Sequence, residues 1–314
     1  MKPPYFKGEE ERNERHARFL FGTNSIVEPR VDERKPMSIK MLMHRTIRKT
    51  DPATTVGDTA RLMRHYKVGS IFIEDGDRFV GVVTESALVR RVLTDGVTYR
   101  ALVTDVMDAP LIVIDADQSA IEANHLMHFN GIRHLGVSEE GKIVGVISVR
   151  DLVRHFASDP DGPLPAMREV VRPLTILVHR DIQSIPASAS ARDTAQKMAE
   201  KKIGALMITE TITGGRHYVG IVTETDLVRK VIGQGLDAAD IRVGTLMTRP
   251  VLDIDISRSL DDANALMASS GVRHLAVSEG GMIVGILSIR DLIGMTSLRD
   301  LPRFFQQKRE EEEK

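Results

Sequence analysis

Four stretches of the chain carry side chains spaced for binding chemistry. Gly145–Asp151, Gly220–Asp226 and Gly285–Asp291 read Gly-x-x-[Ser/Thr]-x-x-Asp, and Gly81–Ala87 repeats the pattern with Ala87 in place of the Asp. Each stretch joins an apolar run to a helix-forming run. Thr84, Ser148, Thr223 and Ser288 therefore stand at helix N-termini, where unpaired N–H groups and partial positive charge suit a phosphate. Asp151, Asp226 and Asp291 follow three residues on, on the same face of the first turn, where a carboxylate can accept from both hydroxyls of a ribose. The Gly permits close backbone approach. The same spacing is also a capping box, which closes its own helix with no ligand. The motif taken alone leaves the two roles open.

A second constellation accompanies the motif. Arg133-His134 and Arg273-His274 open apolar runs upstream of the second and fourth stretches, and Arg150 and Arg290 directly precede Asp151 and Asp291. Arginine is an efficient phosphate partner and histidine adds a donor. Any of these six side chains taken singly also fits an ordinary surface or core role. Their recurrence at one offset places them in a common structural setting, which duplication alone would also preserve.

The elements that position these residues form a repeat of repeats. Gly131–Val153 and Gly271–Ile293 agree at 15 of 23 positions at an offset of 140, and Val80–Val92 agrees with Val219–Val231 at 9 of 13 at an offset of 139. Each half divides again at about 65 residues. In the fourth repeat Val251–Ile254 predicts a short strand. Ser259 and Asp262 start a helix with Leu260, Ala263, Leu266 and Met267 on one face, and Gly271 ends it. A hairpin over His274–Val277 and Met282–Leu287 and a second helix from about Ile289 complete β-α-β-β-α. Thr55/Asp58, Ser119/Glu122 and Ser190/Asp193 predict the same first-helix start in the other repeats. The third hairpin, Thr209–His217, is longer and holds Gly214-Gly215.

This four-fold β-α-β-β-α pattern, its Gly-x-x-[Ser/Thr]-x-x-Asp signature and the Gly-[Ile/Val]-Arg-His-Leu strands resemble cystathionine-β-synthase-type (CBS) domains over roughly residues 37–297. The resemblance extends to four-repeat proteins of the type of the regulatory gamma subunit of AMP-activated protein kinase. It implies an α/β fold of four CBS repeats, paired as two Bateman modules in a pseudo-symmetric disc with nucleotides in the clefts. The expected organisation is a charged tail over 1–36 and a first module over 37–157, with repeats at about 37–97 and 101–157. A Pro-rich linker over 158–173 leads to a second module over 170–297, with repeats at about 170–236 and 241–297, and a charged tail over 298–314. The family implies ribose contacts from the motif Asp, and phosphate contacts from the Ser/Thr and the basic residues. Thr223 and Asp226 with Arg273, His274 and Arg290 form the fullest set. Ser148 with Asp151 and Ser288 with Asp291 follow. Thr84 lacks its Asp, although Arg133, His134 and Arg150 can still gather an anion near it. Adenine would sit near Pro110–Ile112 or Val251–Leu252, runs that also read as core strand.

The expected function is a non-catalytic regulatory or energy-sensing protein that binds AMP, ADP or ATP. S-adenosylmethionine, NAD or a cyclic dinucleotide as ligand, or a ligand-free interaction scaffold, are the alternatives. Partners beyond the nucleotide are left open: an unnamed protein, or a second copy of the chain. A net charge of −1 gives no bulk drive toward nucleic acid or anionic membrane. The absence of cysteine removes disulfides, thiol catalysis and cysteine metal sites, and no metal is inferred. No apolar run approaches the ~20 residues that span a bilayer, and a charged N-terminus without a signal-peptide core points to the cytoplasm. Phe19-Leu20-Phe21 and Phe304-Phe305 leave the tails open as docking segments.

Overall fold

The computed structural model describes residues 37–158, 174–212 and 215–292. The two charged tails, nearly all of the 158–173 linker and Gly214 lie outside them. Four three-stranded sheets follow one another, ordered β1-β2-β3, β4-β5-β6, β7-β8-β9 and β10-β11-β12. In the first, β1 (Lys49–Thr50) runs parallel to β2 (Ser70–Asp75), which pairs antiparallel with β3 (Arg78–Thr84). β4 (Val113–Asp115), β5 (His134–Glu139) and β6 (Lys142–Ser148) repeat this, as do β10 (Asp253–Asp255), β11 (His274–Glu279) and β12 (Met282–Ser288). In the third repeat β8 (Ala205–Ile212) and β9 (Gly215–Thr223) follow β7 (Ser184–Pro186) and are longer than their counterparts. The extra residues of that hairpin extend the ladder outward to Ile212 and Gly215.

The first helix of each repeat starts where its cap predicts. The side chains of Thr55, Ser119, Ser190 and Ser259 accept from the backbone N–H three residues on, and the last three form complete capping boxes. Gly271, at φ +66°, ends the fourth first-helix in the left-handed conformation that glycine adopts without steric cost.

Each sheet is completed by a segment that belongs to its neighbour. The opening stretch of the first repeat, with helix Ile39–Leu42, pairs with the second, where His44 bridges Val146. The opening stretch of the second repeat returns to the first, where Asp108 bridges Val82. His179 meets Ile286 and Thr248 meets Ile221 in the other half. The motif glycines lie under these crossings. A Cβ added at Gly81 or Gly145 would sit 2.7 Å from the sulfur of Met107 or Met43, and one at Gly220 would sit 2.5 Å from that of Met247. The close approach expected of the motif glycine is thus made by the exchanged segment itself.

The helices join the repeats in the other direction. One core packs the apolar helix faces of the first and third repeats together, from Val56, Met63 and Leu88 to Met198, Leu227 and Ile232. A second does the same for the second and fourth, from Met127, Leu135 and Phe156 to Leu260, Met267 and Leu287. A single repeat has too little core to stand alone, so each is held on one side by exchanged strands and on the other by shared helices. The result brings the N-termini of second helices from different repeats together.

Candidate functional site

The second helices begin at Glu85, Val149 and Glu224, and after Ser288 in the fourth repeat. Thr84 and Thr223 cap theirs, accepting from Ala87 N–H at 3.2 Å and from Asp226 N–H at 3.4 Å. Asp226 Oδ2 accepts from the Thr223 backbone at 2.9 Å and its hydroxyl at 2.7 Å. Asp151 holds Ser148 the same way, and Asp291 accepts from the Ser288 N–H at 2.7 Å. One oxygen of each motif Asp therefore closes its own helix. The other meets a nitrogen at the rim: Asp151 meets His44 Nε2 at 2.9 Å, Asp291 meets His179 Nε2 at 3.0 Å, and Asp226 meets Lys230 Nζ at 2.8 Å. Both readings of the motif thus find support in its geometry, since capping consumes only half of each carboxylate.

The first repeat redistributes the same groups. Ala87 is buried, and Arg91, which corresponds to Lys230 in the duplication, pairs with Asp108 at 3.1 Å. Asp108 occupies the exchanged-strand position that His44, His179 and Thr248 hold at the other three sites. A carboxylate missing from position 87 is thus present on the segment that crosses Gly81.

Deeper in, the basic residues meet two glutamates, Glu85 and Glu224. Arg273 Nη2 donates to Glu85 Oε2 and to Thr225 Oγ1, each at 2.7 Å, and the Thr225 hydroxyl donates to the same carboxylate at 2.9 Å. Arg133 Nη2 donates to Glu224 Oε2 at 2.9 Å, and Ser86 Oγ donates to Glu224 Oε1 at 2.6 Å. Glu85 is 1% exposed and Glu224 8%. Burial pushes the Glu224 carboxyl up, but Arg133, Ser86 and Arg273 outweigh it and hold the group below the usual glutamate value. It stays ionised.

His134 and His274 lie beside these pairs. Burial first, then the neighbouring arginines, pushes each imidazole down to about 3, so both are neutral at physiological pH. They offer one N–H and no charge; His134 Nδ1 is buried without a hydrogen-bond partner among the described residues. Arg150 and Arg290 reach solvent and have no ion pair among the described residues. Both lie below the ordinary arginine value, first through desolvation, then through Arg273 opposite Arg150 and Arg133 opposite Arg290. Arg273 reaches the helix that Thr223 and Asp226 start by its hydrogen bond to Thr225, His274 lies by Gly204 beside Glu224 of that helix, and Arg290 feels the charges of Arg133 and Glu224.

The sequence reading missed Glu85 and Glu224, His44 and His179, Lys230, and the Arg91–Asp108 pair. A signal for the glutamates was present. Odd repeats place Gly69 or Gly204 where even repeats place Arg133 or Arg273, and Glu after the motif Thr where even repeats place Val149 or Ile289. A Cβ at Gly204 would lie 3.3 Å from Glu224 Oε2 and 3.7 Å from His274, so the missing side chain makes room for the neighbours' charges. Among the described residues no group of three or more His, Asp or Glu is placed to hold a metal ion, and no helix is long and apolar enough to cross a membrane.

Four repeats of one sheet-and-helix design, with exchanged strands and a polar centre, define a class that sequence comparison names directly. The CBS domain pattern matches residues 39–94, 103–158, 172–233 and 243–297, and the chain belongs to the CBS-domain family. Among solved structures the fold resembles MJ1225 of Methanocaldococcus jannaschii, a protein proposed as an archaeal homolog of g-AMPK. The TM-score is 0.68 at 16% identity, covering 82% of this chain and 99% of that one. A conserved protein of Pyrococcus horikoshii follows, with TM-score 0.55 at 19% identity over 83% of this chain and 100% of that one. At these identities the likeness is one of fold. By sequence, the chain is 30% identical to MK0525 of Methanopyrus kandleri over 37% of its length, and 24% identical to the CBS domain-containing protein CBSCBSPB2 of Arabidopsis thaliana over 75%. These matches span 59% and 49% of those relatives' own lengths.

Proposed function

We propose that this chain is a non-catalytic regulatory protein whose CBS repeats bind adenine nucleotides, with residues 37–157 and 170–297 acting as its two modules. The observation that carries this reading is the third-repeat site. There a capped helix N-terminus leaves one Asp226 oxygen to Lys230 rather than to the cap, while Arg273 and His274 from the fourth repeat lie against the same helix. A ribose on Asp226 and a phosphate on the arginines would use both ends of that site. The resemblance of the motif and of the Arg-His strands to four-repeat CBS proteins points to adenine nucleotides as the ligand. AMP, ADP and ATP titrated into the full chain by calorimetry test the reading. Binding of at least one of them, lost or weakened in Asp226→Ala, supports it, and no heat from any nucleotide sinks it.

A scaffold that binds no ligand is the second reading. It is favoured by partners already in place: His44 and His179 meet two of the motif carboxylates, and Glu224 and Glu85 meet Arg133 and Arg273. Native mass spectrometry of the protein purified without added nucleotide separates the two by the presence or absence of a co-purified ligand mass.

A further inference from the structure

The centre of the molecule holds two quartets related by the duplication. In one, Glu85 of the first repeat binds Arg273 of the fourth and Thr225 of the third, with Arg150 of the second opposite Arg273. In the other, Glu224 of the third binds Arg133 of the second and Ser86 of the first, with Arg290 of the fourth opposite Arg133. Every member has its counterpart 139 or 140 residues away. All four repeats contribute to both quartets.

Each quartet thus contains one nearly inaccessible carboxylate, one guanidinium hydrogen-bonded to it, and one guanidinium with no ion pair among the described residues; at Glu85, Arg229 adds a looser contact at 3.9 Å. A ligand phosphate can meet Arg150 or Arg290 without disturbing an ion pair. To recruit Arg273 or Arg133 it must displace Glu85 or Glu224, and a carboxylate this buried cannot turn to water once its partner leaves. Extra phosphates would also bring negative charge toward an ionised Glu224 in a weakly screened setting. The hydroxyls of Ser86 and Thr225 strengthen this hold by donating to the same carboxylates.

We infer that Glu85 and Glu224 are built-in counter-anions that set how much ligand charge the centre accepts, so that it favours a monophosphate over a triphosphate. This rests on the adenine-nucleotide reading for the ligand's identity, but the charge selection belongs to the quartets themselves. Replacing either glutamate by glutamine keeps the shape, exchanges one acceptor oxygen for a donor and removes the negative charge, which frees one guanidinium for the ligand.

The test is calorimetry on the full-length chain with AMP and ATP and, in parallel, with inorganic phosphate and tripolyphosphate. The wild type, Glu85→Gln and Glu224→Gln are compared, with folding checked by circular dichroism. The expected result is an ATP-to-AMP affinity ratio at least tenfold higher in each variant, and a parallel rise for tripolyphosphate over phosphate. Should a glutamine variant not fold, Ser86→Ala takes one hydrogen bond from Glu224, and Thr225→Val takes one from Glu85 together with one acceptor of Arg273, each with an expected rise of about threefold. Ratios within twofold of wild type in the folded variants overturn the inference, as does wild-type protein that takes up none of the four anions. A shift with the inorganic anions but no nucleotide binding upholds the counter-anion role and rejects the adenine reading. Nucleotide binding with unmoved ratios does the reverse.

Discussion

Asp226→Ala separates the two tasks that one carboxylate performs. The substitution deletes the acceptor for the Thr223 N–H and hydroxyl, at 2.9 and 2.7 Å, and the partner of Lys230 at 2.8 Å. It leaves the complementary half of the cap, because the backbone N–H of residue 226 still reaches Thr223 Oγ1. The first repeat shows that half-cap with alanine in place, Ala87 N–H to Thr84 Oγ1 at 3.2 Å. Loss of half a capping box costs about 1 kcal/mol, and an i,i+4 pair about 0.3–0.5 kcal/mol. The sum, about 1–2 kcal/mol, corresponds to a fall in Tm of about 2–3 °C for a chain of this size. Binding is a separate quantity. Only Oδ1 is clear of the cap, so the variant loses one charge-assisted bond to a ribose hydroxyl in full and a second only in part. About 1.5–3 kcal/mol is expected, a weakening of roughly ten- to a hundred-and-fifty-fold at that site. Differential scanning calorimetry reads the first effect and isothermal titration with AMP reads the second. A lower Tm with unchanged AMP affinity at every site would refute the ribose role and leave Asp226 as a cap alone.

Three further outcomes follow from the geometry. At the first repeat, Ala87→Asp should tighten AMP binding by at least about tenfold through one new charged acceptor. Asp108→Asn should weaken whatever nucleotide binds there if the relocated carboxylate already serves, and titration of both variants decides between them. Acidification from pH 7 to 5 should destabilise the protein through His134 and His274. Their folded values near 3 lie below the unfolded value of about 6.5, so the unfolded state binds more protons throughout that interval. The loss is about 2 kcal/mol per histidine by pH 5, and a His134→Gln variant should show a shallower decline in urea midpoint, whereas an identical slope would show the imidazole is not responsible. Gly81→Ala should cost about 1–3 kcal/mol by forcing Met107 and the Asp108 carbonyl off the strand. An unchanged Tm would mean the exchanged segment yields without strain.

The repeat architecture was legible in the sequence because it rests on local periodicity. Capping residues, alternating apolar runs and turn glycines act within a few residues of one another. The four first-helix starts at Thr55, Ser119, Ser190 and Ser259 therefore follow from spacing alone. Residues of the site could be named by recurrence at one offset, but their partners could not. Whether Asp151 would face solvent or His44, 107 residues away, depends on a strand exchanged between repeats. That Arg273 would meet Glu85 across 188 residues depends on which helix faces share a core. Apolar helix faces carry no label for their mates, since burial is non-directional. The pairing of first with third and second with fourth repeats, and with it the charge balance at the centre, was decided only when all four closed on one another.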